Sequence, residues 1–90
     1  VFDVRKQNEF ASQHIQNAHN TPLAEINNHL AEFPKNTPFY VHCAGGYRSM
    51  IASSILKSRG FHNLIDVQKG FEAILKTNIP KTDYVCPSTL

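Results

Sequence analysis

Two cysteines in 90 residues are too few to make a disulfide framework. Cys43 and Cys86 lack the close spacing of metal ligands. His14, His19, His29, His42 and His62 stand singly, with no HxxxH or CxxC pattern, so neither a metal site nor a cofactor is expected. No apolar run is long enough to span a membrane, and none reads as a signal peptide. Internal repeats, low-complexity tracts and basic blocks are also missing. The nine Lys and Arg are scattered and the net charge is only +2, which argues against a nucleic-acid partner. What remains is a hydrophobic share of 41%, enough for one small globular core. The chemistry must then come from individual side chains.

Those side chains gather in His42-Cys43-Ala44-Gly45-Gly46-Tyr47-Arg48-Ser49. Ahead of this stretch, Phe39-Tyr40-Val41-His42 follows Pro38 and reads as a strand apolar on both faces, as a buried parallel strand should be. Behind it, residues 49–59 contain no Gly or Pro and read as a helix. Ile51, Ala52, Ile55 and Leu56 make its buried stripe, Ser53, Ser54 and Lys57 face out, and Gly60 supplies the C-cap. A cysteine thus ends a buried strand and opens a loop that feeds a helix N-terminus. Free N–H groups there attract negative charge, and Gly45 and Gly46 let the loop curl into an anion-binding nest. Such a field stabilises a thiolate, and Arg48 adds a fixed, forked positive charge.

The rest of the chain alternates strand and helix. Residues 1–4 form a short strand with Asp3 and Arg5 at its C-terminal end, where parallel sheets place their working groups. Residues 7–13 read as a short polar helix anchored by Phe10. Thr21 caps and Pro22 opens the next helix, whose core face is Leu23, Ile26, Leu30 and Phe33, with His29 solvated. Residues 33–38 break the pattern, 64–67 form another strand, and a last helix starts at Gly70 and stops before Pro80. This order implies an α/β fold: three layers, with an open, mostly parallel sheet and helices on both faces. The domain is expected over residues 1–80, with an aperiodic C-terminal tail over 81–90.

The active loop resembles that of the rhodanese (sulfurtransferase) superfamily, which also contains dual-specificity phosphatases and arsenate reductases. Phe2-Asp3-Val4-Arg5 is similar to that family's Asp-x-Arg strand end. His14-Ile15-Gln16-Asn17-Ala18-His19-Asn20-Thr21-Pro22-Leu23 resembles its GHI-x-GA-x-N-I-P-L segment. Arg59-Gly60-Phe61 and Gly70-Phe71 match its later G-F and GG-x-x-x-W positions. The likeness covers nearly the whole chain in order. Gln13, Asn17 and Lys69 stand where the family has glycines, and Ala73 or Ile74 stands near its tryptophan. The family's first strand and helix are absent here, so the chain is expected to be part of a longer protein. A metallo-β-lactamase-like persulfide dioxygenase is one fusion partner the resemblance suggests.

The resemblance implies a sulfurtransferase. Cys43 takes the outer sulfur of a small anionic sulfane donor, such as thiosulfate or a low-molecular-weight persulfide, and passes it to a thiol or to cyanide. Arg48 closes the loop and presents charge. Ala44, Gly45, Gly46, Tyr47, Ser49 and Arg5 would meet the substrate, while Asp3 and His14 would support the loop. Cys86 is either a sulfur-accepting thiol or a tail cysteine. From Cys43 to Arg48 the loop counts six residues, as in sulfur-transfer members, whereas the phosphatases have one more. A non-catalytic binding module is the main alternative, and a phosphatase or arsenate reductase the weaker one. A reactive thiolate without an export signal makes the cytoplasm the expected compartment.

Overall fold

Strand β1 (Phe2–Asp3) lies between β2 (His19–Asn20) and β3 (Phe39–His42), and β4 (Leu64–Asp66) flanks β3. All three pairings are parallel in this computed structural model, which describes residues 1–86. Phe2 is level with His19 and Val41, and Asp3 with Asn20 and His42. The chain leaves β1 toward one edge and later returns to its other side. That reversal opens a crevice at the strand C-termini, where Asp3, Arg5 and Cys43 fall. Three α-helices, α1 (Gln7–Ser12), α2 (Tyr47–Ser58) and α3 (Gly70–Ile74), complete the frame, with a 3₁₀ segment over Leu23–Glu32. No helix among the described residues is long and apolar enough to cross a membrane.

The period of two along the strands divides the residues between faces. Phe2, Phe39 and Val41 turn to one side and join Val4, Ile26, Phe33, Ala52, Leu56 and Phe61 in the main core. Four phenylalanines centre it: the Phe2 and Phe33 rings lie 4.4 Å apart, with Phe39 5.5 Å from each. The expected face of Leu23, Ile26, Leu30 and Phe33 packs here, although the segment is 3₁₀ and kinks at Glu25 (φ −117°).

The second face is thinner. Ile15, Phe71 and Ile74 form a small cluster under α3, with Ala18 and Val67 against it. Tyr40 and Ile65 remain 48% and 44% exposed because α3 is too short to reach them. An apolar cavity of about 340 Å³ opens there, lined by residues including Tyr40, His42 and Ile74. The expectation that β3 is buried on both faces therefore fails at Tyr40.

Three other local expectations change. Thr21 does not cap a helix. Its N–H extends the ladder to Asp3 O at 2.9 Å, and its buried hydroxyl has no hydrogen-bond partner. Ser53 faces inward, 6% exposed, because α2 is covered on more than one side. His29 is half-buried and pairs with Glu32. Residues 81–85, the start of the expected tail, pack against residues 12–15. Ile15 and Lys81 form an antiparallel bridge, and Thr82 N and Val85 N bond His14 O and Ser12 O at 2.8 and 2.7 Å. This pairing runs through backbone groups of an irregular stretch, so it leaves no side-chain period to read. The remainder of the expected tail, residues 87–90, lies outside the described residues.

Leu56 is fully buried at the centre of the main cluster. Leu56→Ala should lower unfolding stability by about 2–5 kcal/mol, measured by urea denaturation.

Candidate active site

Cys43 follows the last residue of β3 and is 1% exposed. Its sulfur accepts the Gly46 N–H at 3.0 Å, and its thiol reaches Ser49 Oγ at 3.6 Å. Ser49 Oγ donates in turn to Gly46 O at 3.3 Å. Helix α2 starts at Tyr47, within the loop, so its first turn is part of the nest and its N-terminal field bears on the sulfur. Gly46 makes the geometry with φ 106°, where a Cβ would also press on Lys69 N at 3.1 Å. A hydroxyl can rotate, so Ser49 is able to donate to an ionised sulfur.

Helix α3 clamps the loop from behind. Phe71 N–H donates to Cys43 O at 2.7 Å, and Glu72 N–H to Ala44 O at 3.1 Å. The Cys43 and Ala44 carbonyls are thereby engaged by α3, while the Gly46 amide meets the sulfur. The clamp demands close approach at Gly70: a Cβ there would lie 2.3 Å from Cys43 O, and φ is 54°. Lys69, just before it, holds φ 64°, a left-handed conformation unfavourable for a residue with a side chain. Asn17 does the same at φ 68°. Both stand where the resemblance expects a glycine, which would hold this conformation without strain.

Beneath the loop lies a buried polar group. Arg5 grips Asp3 through Nε, 3.0 Å from both carboxylate oxygens, and Nη2 at 2.7 Å. Nη2 also donates to Gln13 O at 2.7 Å, and the guanidinium lies 4.2 Å from the Phe71 ring centroid. His42 Nδ1 is 3.1 Å from Cys43 O, while Nε2 stands 3.6 Å from Asp3 Oδ2 without a hydrogen-bond partner. Burial holds His42 below its ordinary range, against the opposing pull of Asp3.

These contacts sort the expected site residues. Asp3 is buried at the end of β1, paired with Arg5 and 3.6 Å from the His42 imidazole. Arg5 is 6% exposed, with Nε and Nη2 engaged by Asp3 and Gln13 O and its guanidinium against Phe71, so it braces the floor of the loop through those groups. His14 stacks on Phe10 with ring centroids 3.7 Å apart and bonds Phe10 O and Thr82. It therefore ties α1 to the C-terminal stretch instead of supporting the loop. Tyr47 is 72% exposed at the rim, Gly45 is exposed and Ala44 half-buried. Cys86 is exposed, next to the docked Val85.

Arg48 donates from Nη1 and Nη2 to the two carboxylate oxygens of Glu9, at 2.6 and 3.1 Å. The pair holds Glu9 below and Arg48 above its ordinary range. Glu9 is the site residue that sequence reasoning missed. Its one local signal is its place in the first turn of α1, where it also accepts the Lys6 N–H at 3.0 Å.

Comparison with known proteins agrees with this geometry. The family described as the rhodanese-like domain matches residues 1–77. The chain is 33% identical over 70 residues to the Putative sulfur carrier protein YrkF of Bacillus subtilis, spanning 78% of this chain but 38% of that protein. It is 29% identical over 83 residues to the Thiosulfate sulfurtransferase GlpE of Coxiella burnetii, spanning 92% of this chain and 77% of the relative. A crystal structure of a rhodanese-like domain protein from Staphylococcus aureus superposes with a TM-score of 0.76 at 36% identity, over 80% of this chain and 70% of that one.

Two outcomes follow for the site. Gly70→Ala should cost about 3 kcal/mol, from overpacking and left-handed strain together, in urea denaturation. For His42, the unfolded chain binds a proton near 6.5 while the folded chain resists until lower pH. Stability should therefore fall as pH drops below that value and level off beneath the folded pKa. Thermal melts across this range should show a weaker slope for His42→Gln.

Proposed function

The chain belongs to the rhodanese-like domain family, and we propose that it is a sulfurtransferase working through a persulfide on Cys43. The observation that carries this reading is the Gly46 N–H held 3.0 Å from the Cys43 sulfur, in a six-residue loop at the C-terminal end of β3. In the first step Cys43 thiolate attacks the outer sulfur of a sulfane donor. The donor's S–S bond breaks as the Cys43 S–S bond forms, and sulfite or a thiolate departs. The terminal sulfur now bears the negative charge, and the loop amides and Ser49 hydroxyl are there to receive it. In the second step a thiol or cyanide takes that sulfur and returns Cys43 as thiolate.

Arg48 in this scheme is a positioning residue. Through Glu9 it fixes the α2 end of the loop to α1. Ala44, Gly45 and Tyr47 form the rim that the donor meets. A reducing compartment, the cytoplasm, suits the thiolate. One observation favours a non-catalytic module instead: the 1% exposure of Cys43, which requires the donor to reach a nearly covered sulfur.

Intact mass after incubation with thiosulfate or glutathione persulfide decides between them. Wild type should gain one sulfur atom that cyanide removes, and Cys43→Ser should gain none. No uptake by wild type from either donor would leave the binding module.

A further inference from the structure

The His42 imidazole is fully buried, and its hydrogen bonds do not close. Both ring nitrogens face oxygen. Nδ1 is 3.1 Å from Cys43 O, and Nε2 is 3.6 Å from Asp3 Oδ2 with no hydrogen-bond partner. A neutral imidazole carries one proton on its two nitrogens. Wherever that proton sits, the other nitrogen turns a lone pair toward an acceptor. Only the imidazolium offers each oxygen a donor. Elsewhere the ring meets Phe71, stacked with centroids 5.9 Å apart, and an apolar cavity shared with Ile15, Tyr40, Val67 and Ile74. Those side chains give Nε2 no partner.

Opposing influences act on the ring. Burial resists a proton there, Asp3 favours one, and Arg5 and the Val1 ammonium add to the resistance. A further negative charge nearby tips this balance, and the Cys43 sulfur can supply it. Covalent geometry holds a cysteine sulfur within about 5 Å of its own carbonyl oxygen, which keeps Nδ1 within roughly 8 Å of the sulfur. Cys43 and His42 are 1% and 0% exposed, so little water screens one from the other. The two guanidiniums near the loop are each paired with a carboxylate, Arg5 with Asp3 and Arg48 with Glu9. His42 is the neighbouring side chain that can still gain positive charge.

We infer that His42 is a positioning residue for charge at the active sulfur: when Cys43 becomes negative, the adjacent imidazole takes up a proton on Nε2, toward Asp3. The inference deepens the sulfurtransferase reading and rests on it. The step moves one proton. Cys43–SH plus neutral His42 gives Cys43–S⁻ plus imidazolium, with no change of oxidation state. Through the two transfer steps the negative charge sits on the thiolate and then on the terminal sulfur of Cys43–S–S⁻. His42 therefore keeps its proton throughout, and holds Cys43 O and Asp3 to opposite edges of one ring.

The test titrates both partners. Cys43 is read by its ultraviolet thiolate absorbance, taken as the difference from the same chain carrying Cys43→Ser, which cancels Cys86. The His42 ring is read by NMR. In His42→Asn, whose amide can still donate to Cys43 O but cannot titrate, the Cys43 thiolate should appear about one pH unit higher, a roughly ten-fold loss of acidity. Linkage is reciprocal. In Cys43→Ser, which keeps the carbonyl and loses the charge, His42 should titrate at lower pH than in wild type. A ring that only packs under the loop titrates alike in both. Because Cys43→Ser leaves the His42 contacts in place, it decides the matter even where His42→Asn does not fold. An unchanged His42 midpoint in Cys43→Ser would overturn the inference, whatever His42→Asn shows. Neither readout uses a sulfur donor, so the sulfurtransferase reading stands or falls separately, on persulfide formation at Cys43.

Discussion

The buried Asp3–Arg5 pair is the constraint on which the rest depends. Two opposite charges are almost wholly removed from water here and lie 2.7 Å apart. The pair is tied to its surroundings. Arg5 reaches across to the end of α1 and lies against Phe71 of α3, and Asp3 receives both the Arg5 amide and its guanidinium. One ion pair therefore fixes the positions of β1, α1 and α3 around the crevice. Removing a partner would leave an isolated charge under the active loop, at a cost of about 3–5 kcal/mol.

The two faces of the sheet divide the work. Stability comes chiefly from the phenylalanine-rich side, where α2 and the 3₁₀ segment cover the strands. The other side holds Asp3, Arg5 and His42 under a helix of five residues. That helix adds little apolar burial, but its amides take the carbonyls of Cys43 and Ala44. With those carbonyls engaged, the Gly46 amide is left to face the Cys43 sulfur.

Much of this was legible in the sequence, for identifiable reasons. The strand–Cys–Gly-Gly–helix order around Cys43 is local, so periodicity and turn chemistry reveal it. Leu23, Ile26 and Phe33 likewise show their face through spacing alone. What escaped depends on contacts distant along the chain. Glu9 and Arg48 are 39 residues apart, and nothing near Glu9 announces its partner. Arg5 has the chemistry of an anion-binding residue, and only the fold shows that Nε and Nη2 are turned to Asp3 and Gln13 O and its face to Phe71. Thr21-Pro22 has the composition of a helix start, yet the neighbouring strand claims the Thr21 amide first.

The docking of residues 81–85 has a consequence for how the molecule transmits force. This stretch is fastened to residues 12–16 through Ser12, His14 and the Ile15 bridge. Those residues close α1, whose first turn carries Glu9, and Glu9 in turn grips Arg48 at the root of the loop. The C-terminal stretch and the Cys43 loop are thus joined through α1 like two ends of a lever. A displacement of Val85 would have to be taken up by α1 before it reached Arg48.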